Sequence, residues 1–337
     1  MSTVFRYPSF IQLNITNRCN LKCKHCFNNS GSKMTGELTN EEIFRILSYF
    51  LSRKIVCITF GGGEPLLHNK IFDFINYASN RGGRITLLSN GVLIKKSVAV
   101  KLYRSGVSRV RISLDGSDEK INDFIRSKGS FKGAINALKN LMDTPIQDVA
   151  VMATVNKYNF NDLEKIIKLL IKIGVKDIKF IPTVLGGRAK QEFSEYILDG
   201  NFVKLLLEKK EELSLKYKDY IYISIDSPLE AIIYRNNINK LGQCGPCLIG
   251  QVFLGIKANG DIFACPMLDE VIIGNIKKDN IEKIWKESKI LNDVRNLSLL
   301  KGKCKNCKIK KYCGGGCRAI SYLNHKDILM PDPYCWI

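Results

Sequence analysis

The chain has 337 residues, 45% hydrophobic and 25% charged, and its 52 lysines and arginines against 32 aspartates and glutamates give a formal charge of +20. This is the composition of an ordinary globular protein, large enough for one core plus a smaller appended unit, and it excludes a disordered or low-complexity chain. No stretch approaches the roughly 20 apolar residues of a membrane span, and Met1 to Pro8 lack the features of a secretory signal, so a cytoplasmic protein without a membrane partner is expected.

In a reducing compartment the 12 cysteines read as metal ligands or catalytic thiols rather than disulfides. They are unevenly placed: Cys19, Cys23 and Cys26 crowd together, Cys57 stands alone, and the rest lie between Cys244 and Cys335. The basic surplus would attract polyanions or acidic peptides. It is scattered over most helices, without the arginine-rich arm or aromatic-interleaved strip of a nucleic-acid binder, so nucleic acid is not the expected partner.

In chain order, β-branched runs alternate with helical stretches, which argues for a parallel sheet of βα units. The expected strands are Phe10 to Ile15, Ile55 to Phe60, Arg84 to Leu88, Arg109 to Leu114, Ala150 to Val155 and Asp177 to Ile181. Leu163, Ile166, Ile167, Leu170 and Ile173 paint one helix face, and Gly106 and Gly174 sit where helices end before strands. Unusual residues follow successive strand ends: Cys19 to Cys26, Gly61-Gly62-Gly63-Glu64-Pro65, Ser89-Asn90-Gly91 and Asp115-Gly116. In parallel α/β folds that edge gathers the site, although Gly, Asn and Asp also serve there as plain turn formers.

Cys19-x3-Cys23-x2-Cys26 offers three soft thiolates, one fewer than closes a four-iron cluster, so one iron would stay open. Zinc with a distant fourth ligand is the alternative on spacing alone. The eight-residue run Cys19 to Cys26, together with Gly62-Gly63-Glu64-Pro65, resembles the radical S-adenosylmethionine (AdoMet) superfamily. The resemblance implies a partial (β/α)6 TIM-like barrel whose open iron is chelated by AdoMet, and a 5′-deoxyadenosyl radical after one-electron cleavage. It also implies roles: His25 beside the adenine; Gly62, Gly63 and Glu64 at the methionyl amino group, with Pro65 completing the motif; Ser113 and Asp115 at the ribose. Asn90 would lie on the neighbouring rim and Arg126 would pair with the carboxylate. Cys57, inside a strand, reads as a small buried side chain.

The C-terminal part carries Cys244-x2-Cys247, Cys265, Cys304-x2-Cys307-x5-Cys313-x3-Cys317 and Cys335. Two structural zinc sites would suit such spacing as well. With the Asn259-Gly260 hairpin signal between flanking strands and the ending Asp332-Pro333-Tyr334-Cys335, this part resembles the SPASM extension of radical enzymes that mature peptides. That resemblance implies two auxiliary clusters, one on Cys244, Cys247, Cys265 and Cys317, the other on Cys304, Cys307, Cys313 and Cys335, for three [4Fe–4S] clusters in all. The lysines from Lys301 to Lys311 would raise the potential of the second, or simply form a solvated face. The expected domains are a barrel over 1–190, a connecting helical region over 191–240 and a cysteine-rich domain over 241–337.

The resemblance points to hydrogen abstraction from a peptide or protein, possessing an acidic leader that suits the basic surface, with electrons from a flavodoxin or ferredoxin. Since 18 residues precede Cys19, recognition is expected from a separate leader-binding protein or at the barrel mouth itself. Pro266 stands where sulfatase-maturing relatives place an aspartate base, leaving Asp269 as its substitute. The rival readings are modification or decarboxylation of a small molecule or tetrapyrrole, and a zinc-bearing nucleic-acid-binding module.

Overall fold

β1 (Phe10–Thr16) is buried on both faces after its first residue, as befits a parallel strand with helices outside and a filled interior. The computed structural model describes residues 6–268 and 270–337. It follows β1 with β2 (Cys57–Gly62), β3 (Ile85–Ser89), β4 (Arg109–Ser113), β5 (Asp148–Val155) and β6 (Asp177–Pro182), each pairing in parallel with the next. Every expected strand is present within two residues of its expected ends. The largest shift is in β2, which runs on through Gly61 and Gly62, so two glycines read as loop are strand.

Helices α1 (Asn40–Leu51), α2 (Ile71–Ser79), α3 (Lys96–Arg104), α4 (Glu119–Ile125), α5 (Ser130–Met142) and α6 (Leu163–Ile173) cover the outer face. α1 begins with a capping box in which Thr39 and Glu42 satisfy each other's backbone N–H. α6 buries Leu163, Ile166, Ile167 and Leu170 and stops at Gly174, whose φ of 95° is the left-handed helix end that the sequence suggested. Alternation along the strands turns Leu13, Val151 and Ala153 toward the helices. It sends Gln12, Ser113, Met152 and Thr154 to the walls of an interior cavity.

Two connections go beyond the expected pattern. The 191–240 segment is not helical throughout: it supplies β7 (Tyr222–Ile225), which adds to β6 in parallel. The Asn259-Gly260 turn forms as expected between β8 (Phe253–Ile256) and β9 (Asp261–Phe263), with Gly260 at φ 91°. β8 also pairs in parallel with β1, Phe10 opposite Phe253, and β10 (Ile272–Asn275) completes the edge. The order is therefore β10-β9-β8-β1-β2-β3-β4-β5-β6-β7. This is a parallel partial barrel continued by a C-terminal hairpin, and among the described residues no strand pairing joins its two ends. No described helix is long and apolar enough to cross a membrane.

Candidate active site

The loop after β1 is held at its base by reciprocal bonds, Cys19 N to Gly31 O at 2.9 Å and Gly31 N to Asn17 O at 3.0 Å. Glu37 ties the same base together by accepting from Asn17 N at 2.8 Å and Met34 N at 3.0 Å. Within the loop, Cys26 N donates to Cys23 O and Ser30 N lies 3.4 Å from the Cys26 sulfur. The far side leans on the end of α4 through Lys24 N to Ile125 O (2.9 Å) and Lys22 N to the Ser127 hydroxyl (3.1 Å). These bonds turn the three sulfurs into one cavity of about 190 Å³, which also takes in His25, Gly62, Gly63, Asn90, Ser113 and Arg126.

The glycines at the cavity wall also meet a packing need. A Cβ on Gly62, whose φ is 114°, would meet Thr16 O at 2.5 Å, and one on Gly63 would strike Arg18 O. The β2 end is therefore glycine so that it can press against the stem of the cysteine loop, laced by Gly63 N to Thr16 O and Glu64 N to Arg18 O. Glu64 is wholly buried and fully engaged, accepting from Asn90 N (2.9 Å), Leu66 N (3.1 Å) and the Ser89 hydroxyl (3.0 Å). It braces β2 to β3 instead of lining the cavity. Burial outweighs these donors and pushes its carboxyl up to about 7. Pro65 opens the short turn that Glu64 caps.

Asp115, also wholly buried, accepts from Thr154 N at 2.7 Å and pairs with Arg126, whose Nε lies 2.6 Å away. His25 Nε2 stands 3.6 Å from the same carboxylate. Asp115 thus holds Arg126 and His25 at the cavity wall and is itself turned away from it, whereas Ser113, Asn90 and Arg126 line it. Burial, with Arg126 and Arg188 adding to it, lowers His25 to about 4, so the ring is neutral. Its Nδ1 is buried without a partner, an unfilled valence in a wall expected to face an adenine. Asn90 Nδ2 reaches Asn20 at 2.8 Å and sits 3.9 Å from the Cys19 sulfur.

One loop that the sequence reading did not single out belongs to the site. After β6, Arg188 Nη1 donates to Cys23 O at 2.8 Å and Nη2 to Ser30 O at 2.6 Å, while its backbone N donates to Cys26 O at 2.9 Å. Gly186-Gly187-Arg188 follows a strand end just as the other rim groups do, and that position was the available signal.

In the C-terminal part, burial raises the Cys265 and Cys317 thiols, and nearby Cys247 pushes both further up, as Cys317 does Cys265. Cys304, Cys307, Cys313 and Cys335 line one small hollow. Burial raises Cys313 to about 12, as it raises Cys23 to about 12, a cost that iron coordination removes by binding the thiolate. Burial raises Cys244 to about 11, with Glu230 adding to it and Lys210 opposing it. Between the groups lies Arg318, buried and donating to Gly315 O, Ile328 O (2.8 Å) and Met330 O (2.9 Å). Asp332 accepts from Cys317 N (2.8 Å) and Tyr334 N (2.9 Å).

Among the described residues no three His, Cys, Asp or Glu side chains converge tightly enough for one metal ion. A single zinc needs all its donors about 2.3 Å away, whereas a cubane spreads its thiolates over separate irons. The soft thiolates of these sets are donors of the kind that hold iron-sulfur clusters. Cys57 stands apart in β2, its sulfur 3.4 Å from the Thr86 hydroxyl, and Asp269 lies outside the described residues.

Residues 13–170 match the model of the radical SAM superfamily, and residues 244–308 that of an iron-sulfur cluster-binding domain, SPASM. The chain is 29% identical to the AdoMet-dependent heme synthase of Methanosarcina barkeri, covering 97% of this chain and 96% of that one. It is 27% identical to the mycofactocin maturase MftC of Mycolicibacterium smegmatis, covering 97% and 82%. Its fold is that of Streptococcus suis SuiB bound to precursor peptide SuiA, with a TM-score of 0.80 at 17% identity over 99% of this chain and 77% of that one.

Proposed function

Because the chain belongs to the radical SAM superfamily and is an enzyme of its SPASM-bearing branch, we propose that it acts on a peptide or protein, abstracting hydrogen to begin a post-translational modification. The zinc-bearing nucleic-acid module is set aside by the same matches. In this reading Cys19, Cys23 and Cys26 hold the AdoMet-binding cluster, and the two C-terminal sets hold auxiliary clusters, for about 12 irons per chain. A cluster held there would supply the one electron, taken from a reduced flavodoxin or ferredoxin, that cleaves the AdoMet sulfonium bond.

The chain's own groups divide the remaining work. Arg126, fixed by Asp115, presents a cation for the AdoMet carboxylate, and Asn90 and Ser113 offer polar contacts on the facing rim. His25 is kept neutral by burial, so it meets the adenine as an aromatic surface with a free ring nitrogen. Gly62 and Gly63 let the β2 end close on the cysteine loop.

The observation favouring a peptide over a tetrapyrrole is the charge of the cavity wall. It mixes apolar side chains, Leu88, Met152, Ile181, Val184 and Met267, with uncharged polar ones such as Gln12, Asn28, Thr154 and Thr183, and Arg126 is its one lysine or arginine among the described residues. A porphyrin with several carboxylates calls for several cations, and this single one is already paired. A side chain or α-carbon of a peptide fits a pocket at a barrel mouth that carries so little charge.

The test is anaerobic reconstitution with iron and sulfide, followed by dithionite and AdoMet. Deoxyadenosine is expected from the native protein and not from C19A/C23A/C26A. The substrate class is read by mass spectrometry with a precursor peptide encoded beside the gene and, separately, with an iron-bound carboxylated porphyrin. Peptide modification supports the proposal, and carboxylate loss from the porphyrin overturns it.

A further inference from the structure

Among the described residues the two ends of the partial barrel are not joined by strand pairing, since β1 continues to β8 and β6 to β7. The gap is bridged at the site by two loops, one after β1 carrying the three cysteines and one after β6 carrying Gly186-Gly187-Arg188. Their contact is close. Gly187 has φ 51°, and a Cβ there would lie 2.5 Å from Cys26 O, so any side chain would force the loops apart.

We propose that Arg188 is a positioning residue for the AdoMet-binding cluster, setting the spacing of its cysteines and placing a fixed positive charge behind them. Three donors of this one residue meet the carbonyls of Cys23, Cys26 and Ser30, which flank two of the three ligands. The planar guanidinium spans two carbonyls at once, a reach that an ammonium point charge lacks. Its side chain is 12% exposed, and the nearest carboxylate, Glu192, is half exposed and 4.0 Å away, so the charge is weakly neutralised. A buried cation favours the more negative, reduced state of a neighbouring cluster and makes the first electron easier to deliver. Arg188 does not line the cavity and so acts through the loop, not on AdoMet.

The inference rests on the cysteine trio holding a cluster, and the test separates the two. AdoMet changes the electron paramagnetic resonance of the reduced cluster it binds, which distinguishes that cluster from the auxiliary ones. If the native protein shows no AdoMet-dependent change, the functional reading fails before Arg188 is judged.

Given that change, R188M is expected to lose most of the AdoMet-responsive signal and to need a more negative potential for what remains. R188K keeps the charge and loses the fork, so its potential should stay near the native value while the responsive signal falls. Native amplitude and potential in R188M overturn the proposal. Should R188M not fold, by circular dichroism, R188K decides alone: an unchanged responsive signal there overturns it, and a reduced one supports it.

Discussion

The two cysteine-bearing regions are braced by opposite means. The loop from Cys19 to Cys26 takes partners from around the barrel, Asn90 after β3, Ile125 and Ser127 at the end of α4 and Arg188 after β6. The end of the chain braces itself: Arg318 donates to carbonyls no further along than Met330, and Asp332 reaches back to Cys317. The loop after β1 thus depends on several distant strand ends arriving together, whereas the turns of 313–335 are tied largely within their own segment.

The sharpest way to break that contrast is to delete one ligand from each region. C26A should abolish deoxyadenosine formation entirely, whereas C307A should lose iron yet still bind and cleave AdoMet. Equal loss of AdoMet binding in both, measured by equilibrium dialysis, would show that the regions are not independent.

Next in size are the buried charges. D115N leaves Arg126 buried without its carboxylate and should cost about 3–5 kcal/mol, read as a fall in Tm together with weakened AdoMet binding. R318M strands the carbonyls of Ile328 and Met330, each worth about 1–3 kcal/mol when left unpaired. Hydrogen exchange should then rise over 313–335 while barrel amides keep their protection. Loss of protection throughout the barrel in R318M would erase the distinction between local and long-range bracing.

Glu64 sharpens the comparison through pH. Its folded carboxyl sits near 7 against an ordinary 4.5, because burial outweighs its donors, so the folded state holds the proton more tightly than the unfolded one. Its contribution is full below about pH 4.5, declines as the pH climbs through 7, and costs about 3 kcal/mol above that. E64Q should flatten this slope in urea titrations between pH 5 and 8, and a slope identical to the native one removes Glu64 as its source. His25 acts on the other side: lowered to about 4 by burial, it withdraws stability as the pH falls from 6.5 to 4. The smallest effect is expected at the exposed lysines by the second auxiliary set, where K308Q should change stability by no more than about 0.5 kcal/mol.

Much of this was legible from the residues. Cysteine spacing showed two cysteine-rich regions along the chain, and β-branched runs revealed six strands because parallel strands must be apolar on both faces. β7 escaped notice because it is four residues long, with Tyr222 exposed, and so lacks the apolar run. The motif residues were placed correctly at the rim, yet Glu64 and Asp115 turn inward to brace rather than outward to the cavity. Nothing in a linear pattern distinguishes a buried carboxylate that holds a neighbour from one that meets a ligand.

The residues alone determined which atoms are available: three thiols in one short loop, eight more toward the end of the chain, and a βα frame to carry them. Tertiary structure decided which groups meet. It joined β8 to β1, pressed Gly62 and Gly63 against the stem of the cysteine loop, and brought Arg188 across the unpaired seam. Local spacing is set by covalent geometry and is written along the chain. Contacts between loops far apart in sequence depend on how the whole sheet curves, and they exist only once the barrel has formed.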